Sequence, residues 1–256
     1  MNYEKFIKPL EEIIKEAGEL LLTYFNNNLE RFNKTDGSFA TQADLASEKF
    51  LIEKLHALLP EAGFFAEESG SQDSEKEHQW VIDPLDGTTN FAQGLPYFCI
   101  SVALTKNNLP VVGAIYNPLL KEFFYAIKGN GSYLNNNRLK ISQKKELNAS
   151  VILFAVPYKK NTQFFNNMHE VAHKAYTVRT FGAAALDQAY FAAGKADALL
   201  MQGLSWWDVA AGILIIKEAG GTVTDFEGEE ITPEYKTFLA STNPIYDELM
   251  LLVKTH

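Results

Sequence analysis

The chain has 256 residues, 46% of them hydrophobic and 21% charged, the balance of a soluble globular protein with room for a sizeable core. Its net charge of −9, without any Lys/Arg-rich run, weighs against a nucleic-acid binder, which needs a basic face to neutralise phosphates. The single Cys99 excludes an intrachain disulfide, no segment approaches the ~20 apolar residues of a membrane span, and Met1 to Lys5 lack the basic-then-apolar pattern of a secretion signal. A cytoplasmic protein needing neither membrane nor nucleic acid is expected.

Phe6, Leu10, Ile13, Ile14, Ala17, Leu21 and Tyr24 recur at helical spacing and predict a long amphipathic helix over 3–25, with Pro9 in its first turn. Asn26-Asn27-Asn28 and Asp36-Gly37 break the pattern. A second helix is predicted from Thr41, where Thr41 and Asp44 have capping-box spacing, through Leu45, Leu51, Leu55 and Leu58 to Pro60. Residues 63–66 read as a short strand ending on Glu67-Glu68, and 71–78 as a polar loop with nothing to bury. Trp80-Val81-Ile82 is the next strand, and 100–105, 110–116 and 122–127 follow as successive strands separated by Asn/Gly turns. Two helices followed by a run of strands predict an α+β half with an antiparallel sheet.

Beyond Leu147 the rhythm changes. Strands at 151–156, 177–181, 197–201 and 222–224 alternate with helices at 164–174, 184–193 and 208–219, the pattern of an α/β half. The boundary is placed near Ser142, giving halves 1–142 and 143–256.

Residues 79–97 carry the densest chemistry. The strand lands on Asp83, which Pro84 drives toward an extended backbone, and a second acid follows at Asp86. Gly87 lets the backbone approach a ligand, and the N–H groups of Gly87, Thr88 and Thr89 at a helix start would cradle an anion. Two hard oxygen anions beside such a cradle point to a metal-assisted phosphate site. Asp44, Glu67 and Asp208 also stand at the ends of predicted elements. Singly, such acids cap helices or face water. Gathered with Asp83 and Asp86 around a phosphate dianion, they would repel one another unless two or three Mg²⁺ ions balanced the charge.

At this point the motifs resemble a known family. Trp80-Val-Ile-Asp-Pro-Leu-Asp-Gly-Thr-Thr-Asn-Phe91 is similar to the first signature of the inositol monophosphatase family, and Trp207-Asp-Val-Ala-Ala-Gly212 with Glu218-Ala-Gly-Gly221 to its second. Glu67-Glu68, Thr41-Gln-Ala-Asp44, Gly129-Asn-Gly-Ser-Tyr133 and Phe181-Gly-Ala-Ala-Ala185 match further family segments. The resemblance implies a layered αβαβα sandwich, an α+β fold, usually a homodimer. It also implies a Mg²⁺-dependent, often Li⁺-inhibited phosphatase for a small phosphorylated polyol or sugar. Carried over by position, Glu67, Asp83, the Leu85 carbonyl and Thr88 would surround a first metal. Asp83, Asp86 and Asp208 would hold a second, and Glu67 would help a third. Thr88 with Asp44 would activate the water for direct in-line attack, and Gly87 and Thr88 would bind the phosphate. Asp86, Gly182, Ala184, Met201 and Asp208 are further expected around the substrate.

One departure bears on substrate. Seven residues before Asp208, where inositol-specific members carry a glutamate, this chain has Met201; three residues before it, Ser205 replaces a common histidine. A thioether cannot accept hydroxyl hydrogen bonds as a carboxylate does. Phosphatases of 3′-phosphoadenosine 5′-phosphate, of another nucleotide or of histidinol phosphate therefore stand as alternatives. So does a regulatory partner of a transcription complex. An aspartyl-phosphate mechanism fits poorly, because Asp83 and Asp86 are separated by two residues including a proline. His169 and His173 have i, i+4 spacing without the glutamate of a zinc helix and read as solvated face. Cys99 reads as a small core residue.

Overall fold

The computed structural model describes residues 1–34, 37–157, 159 and 161–254, so Asp36 of the predicted breaker lies outside the described residues, as does His256. In the first half, helix α1 (Ile7–Tyr24) follows a short 3-10 turn, a small ribbon β1 (Arg31–Asn33) and β2 (Phe39–Thr41) leads into α2 (Gln42–Leu58), and then come β3 (Gly63–Ala66), β4 (Gly70–Gln72) and β5 (His78–Asp86). Helix α3 (Thr88–Ala92) is followed by the meander β6 (Cys99–Lys106), β7 (Leu109–Asn117), β8 (Glu122–Ile127), β9 (Gly131–Leu134) and β10 (Asn137–Arg138). Next are β11 (Val151–Ala155), α4 (Thr162–Lys174), β12 (Thr177–Arg179), α5 (Ala184–Ala192) and β13 (Ala198–Gln202). The chain closes with α6 (Trp206–Glu218), β14 (Thr222–Thr224), β15 (Thr237–Ser241) and α7 (Asn243–Lys254).

Strands β10-β9-β8-β7-β6-β5-β3-β4 form one sheet, antiparallel except for the parallel pair β3–β5. Strands β12-β11-β13-β15-β14 form a second, parallel across β12, β11 and β13 and antiparallel beyond. Strand alternation sorts the side chains into three cores. On β5, Trp80 and Ile82 pack under α1 and α2 with Leu10, Ile14 and Leu51, while Val81 faces the opposite side. There it meets α5 and α6 with Leu153, Leu199 and Phe238 of the second sheet. The far face of that sheet, with Ile152, Phe154 and Leu200, is covered by Phe164 and Val171 of α4 and Ile245 and Leu249 of α7. The result is five layers, αβαβα, and α5–α6 is the buried central one, so these helices carry almost no polar face.

The local signals act as expected. Pro9 sits in the first turn of α1, and Thr41 caps α2 in a capping box with Asp44. Gly129-Asn130-Gly131 turns the β8–β9 hairpin, where Glu218 of α6 accepts the N–H groups of Gly129 (2.6 Å) and Gly131 (2.8 Å). Two of the stretches that differ lie in the first sheet. Residues 70–72 form an edge strand inside the expected polar loop, held by backbone pairing to β3 rather than by burial. Strand β5 runs past Pro84 to Asp86, because a break in register between Asp83 and Asp86 spares the pairing that proline cannot make. Among the described residues no helix is long and apolar enough to cross a membrane.

Candidate active site

The end of β5 supplies the first two acids. Asp83 is 1% exposed, and its Oδ1 accepts the Leu85 N–H (3.0 Å), closing a turn across Pro84. Ser47 of α2 donates to the Pro84 carbonyl (2.9 Å) and ties that turn to the helix carrying Asp44. Gly87 then takes φ +90°, and a Cβ there would lie 3.0 Å from the Tyr97 carbonyl and 3.1 Å from Ala183 Cβ. Glycine is required on both counts. Thr88 begins α3, and its hydroxyl lies 2.9 Å from Asp44 Oδ1 and 3.0 Å from the Leu85 carbonyl. The other oxygen of Asp44 accepts both the N–H (2.7 Å) and the hydroxyl (2.6 Å) of Thr41. The helix cap and the expected catalytic acid are thus one residue. Its carboxylate is fully buried and bonded by Thr41 and Thr88.

Asp86 is reached from the other half of the chain. The first N–H groups of α5 converge on it: Ala184 on Oδ1 (3.0 Å), Ala185 and Leu186 on Oδ2 (2.7 and 3.4 Å). A helix N-terminus thereby stabilises the anion. The Cys99 thiol lies 3.5 Å from the same carboxylate, and burial followed by the Asp86 charge pushes it well above the thiol range, so it stays protonated in the core. Asp208 sits in the first turn of α6, where its Oδ2 accepts the Ser205 N–H (2.5 Å). Asp83, Asp86 and Asp208 each offer an oxygen within 4.8 Å of the others, the one such group of three or more among the described residues.

Glu67 follows β3 and is bound by Lys34 (2.7 Å), which also binds Glu68 (2.6 Å). Sequence reasoning missed Lys34, because the pair spans 33 residues between two loops and leaves no periodic trace. It also missed Glu48, 4% exposed, which accepts the N–H groups of Glu68 and Ser69 (2.8 Å each) and shapes the turn after Glu67. A signal existed: Glu48 stands four residues after Asp44, on the same face of α2. Gly182 (φ +85°) lies against Asn90, and the Ala184 N–H is engaged by Asp86. Met201 has no exposed surface; the alternation of β13 turns it into the core, with its sulfur 3.9 Å from Gln188 Nε2. A cleft of about 600 Å³ lined by Arg138, Ser142, Glu218 and Asn243 contains none of these acids.

Electrostatics states what this arrangement lacks. Burial, then Glu67, Asp86 and Asp208 hold Asp83 well above the usual carboxylate range. Burial, then Asp86 and Glu67 do the same to Asp208. Burial raises Glu67 from 4.5 to about 7, outweighing the opposing Lys34. Burial would lower Lys34, but Glu67 and Glu68 prevail and raise it. An ammonium drawn onto Glu67, and hard oxygen donors with no sulfur or imidazole among the gathered ligand atoms, fit a hard divalent cation. A carboxyl whose folded pKa is raised favours the folded state below its ordinary pKa, and this is lost as pH rises through the raised value. The metal-free protein is therefore expected to lose melting temperature between pH 5 and pH 8, the window that spans Glu67 at about 7. A divalent cation held by these acids should abolish the slope. Calorimetry in EDTA and in Mg²⁺ checks this, and a flat profile in EDTA contradicts it.

The layered sandwich brings acids of β5 and α6 to one point, and its relatives make the chain a phosphoric monoester hydrolase. The Inositol monophosphatase family profile matches residues 2–254. Inositol-1-monophosphatase of Caulobacter vibrioides is 37% identical over 250 residues, 95% of each chain. The Nus factor SuhB of Xylella fastidiosa is 37% identical over 229 residues, covering 84% of this chain and 80% of its own. The crystal structure of extragenic suppressor protein suhB from Bartonella henselae superposes with a TM-score of 0.94 at 35% identity, covering 98% of this chain and 99% of that one. The chain belongs to the inositol monophosphatase family.

Proposed function

We propose that the chain is a Mg²⁺-dependent phosphomonoesterase for a small polyol or sugar phosphate, acting by direct attack of water on phosphorus. The observation that carries this reading is the convergence of Asp83, Asp86 and Asp208 within 4.8 Å beside the Thr88–Asp44 pair. Glu67, Asp83, the Leu85 carbonyl, Asp86 and Asp208 would hold two or three ions, drawing ligands from both halves, 1–142 and 143–256. When bound, the cations neutralise the clustered carboxylates, polarise the phosphoryl oxygens and acidify water. The chain's own residues then do the rest. Gly87 and Thr88 present backbone N–H groups to the phosphate. Thr88 Oγ1 takes a proton from the attacking water as its own passes to Asp44, which is already within 2.9 Å. Asp86, held by α5, and Gly182 beside Asn90 border the space for the departing alcohol.

Phosphate release from a panel of inositol 1-phosphate, a hexose phosphate, 3′-phosphoadenosine 5′-phosphate and histidinol phosphate tests the substrate class. Turnover of a polyol or sugar phosphate is expected. Turnover of the nucleotide or of histidinol phosphate alone would move the assignment to those relatives, and the inward-turned Met201 keeps inositol itself from being favoured. We carry over the cytoplasmic, Li⁺-sensitive homodimer of the family on the same footing. Leu95 and Phe181, 52% and 43% exposed beside Tyr97, offer an apolar face for a second copy, and light scattering at assay concentration tests it.

A second reading rests on the relatives named Nus factor SuhB, which favour binding to a transcription complex as an additional role. Pull-down with RNA polymerase, using wild type and a turnover-dead Asp83→Asn protein, separates the roles. Capture by both supports the second role, and capture by neither removes it.

A further inference from the structure

Gln188 is fully buried at the contact between α5 and α6, and besides its long contact to the Met201 sulfur its side-chain amide donates to two backbone carbonyls. Nε2 donates to the Ala184 carbonyl (3.0 Å), one turn back on α5, and to the Asp208 carbonyl (2.9 Å) on α6. Ala184 belongs to the turn whose N–H groups grip Asp86. One amide group therefore joins the residues that hold Asp86 to the residue that supplies Asp208.

We propose that Gln188 is a positioning residue that fixes the spacing of the Asp86 and Asp208 carboxylates for cation binding. The proposal rests on the reading of those acids as metal ligands. Three observations carry it. First, the two acids come from β5 and α6, and like charges so close push apart the elements that hold them unless something directional opposes the repulsion. Ala185 and Ala189 of α5 and Ala211 and Ile215 of α6 are buried in the same core, and such small and aliphatic groups set a distance but not a register. Second, Gln188 Oε1 has no hydrogen-bond partner among the described residues. An aliphatic residue would fill the same space without stranding an acceptor, so the gain from this side chain lies in its two donors. Third, α6 makes room for it: a Cβ at Gly212, one turn beyond Asp208, would overlap Gln188 Oε1. Asp208 is thus held at its carboxylate by the Ser205 N–H and at its carbonyl by Gln188.

The test is Gln188→Met, which keeps the length and removes both donors. Calorimetric titration of the substrate-free protein with Mn²⁺ gives metal affinity, phosphate release against Mg²⁺ concentration gives half-saturation, and melting in EDTA gives packing. Metal affinity should fall and half-saturating Mg²⁺ rise by about tenfold, the lower end for partners behind metal ligands. Turnover should recover at saturating Mg²⁺. Melting in EDTA should hold or rise, since the stranded acceptor is gone. A lower melting temperature with unchanged metal affinity would make Gln188 a packing residue and overturn the proposal. Should Gln188→Met fail to fold, Gln188→Leu, which also lacks the donors, must give the same shift in half-saturation, and no shift overturns the proposal equally. Absence of Mn²⁺ binding by wild type would instead defeat the reading of the ligand set.

Discussion

Asp83→Asn is expected to abolish Mg²⁺-dependent phosphate release and, at the same time, to raise the melting temperature of the metal-free protein at pH 8. The two effects have one cause. Asp83 is buried at the centre of the acidic group, with Glu67, Asp86 and Asp208 all opposing its charge. Without cations, removing that charge relieves repulsion in a dry site. With cations, it removes the acid shared between two proposed ion positions. The change is nearly isosteric, and an asparagine Oδ1 can still accept the Leu85 N–H that closes the turn across Pro84. The fold therefore has no reason to fail. Cation stabilisation of a phosphoryl transition state is worth several kcal/mol, so turnover should fall by at least about 10³-fold. Activity assays and calorimetry on one preparation check both halves. Retained turnover would refute the ligand role, and a lower melting temperature in EDTA would refute the electrostatic account.

The parts of this site that were legible in the sequence are those whose constraints lie next to them in the chain. Pro84 and Gly87 dictate the backbone between Asp83 and Thr88 within five residues, and Thr41 announces Asp44 as a cap. The apolar runs read as strands at 151–156 and 197–201 likewise announced β11 and β13, although runs apolar throughout could not say which face would be central. What stayed hidden is tertiary. The Lys34 contact joins two loops, Glu48 reaches from a helix to the turn after β3, and Gln188 bonds a carbonyl twenty residues away. Each is a single polar residue whose partner is fixed only after the layers close. Strand β15 and helix α7 were not anticipated because 225–236 is polar and irregular, and the short apolar run 237–241 is recognisable as a strand only once β13 and β14 pair on either side of it. Met201 shows the limit most clearly. Position in a motif placed it among substrate contacts, whereas the pleat of β13 gives it no exposed surface.

Thr88→Ala should lower kcat by roughly 10²–10⁴, the usual contribution of a positioned proton-transfer group, while KM changes little. The hydroxyl has one proton and two acceptors in reach, Asp44 Oδ1 at 2.9 Å and the Leu85 carbonyl at 3.0 Å. It is therefore placed to receive a proton from water while passing its own to Asp44. Asp44 suits the receiving role because burial raises its pKa against the opposing bonds from Thr41 and Thr88. Alanine removes that route but leaves the backbone N–H groups of Gly87 and Thr88 and the grip on the phosphate. An interaction made chiefly in the transition state is lost, which is why kcat and kcat/KM should fall together. Alanine is a good first residue for α3 and Asp44 keeps both bonds from Thr41, so the one structural cost, the loss of the Thr88 bond to buried Asp44 Oδ1, is read separately as a change in melting temperature. Thr88→Ser, which retains the hydroxyl, should recover most of the rate. Equal losses in both variants would mean that the threonine methyl, through packing, matters more than the proton. A rise in KM at constant kcat would mean that Thr88 binds the phosphate and plays no part in activating water.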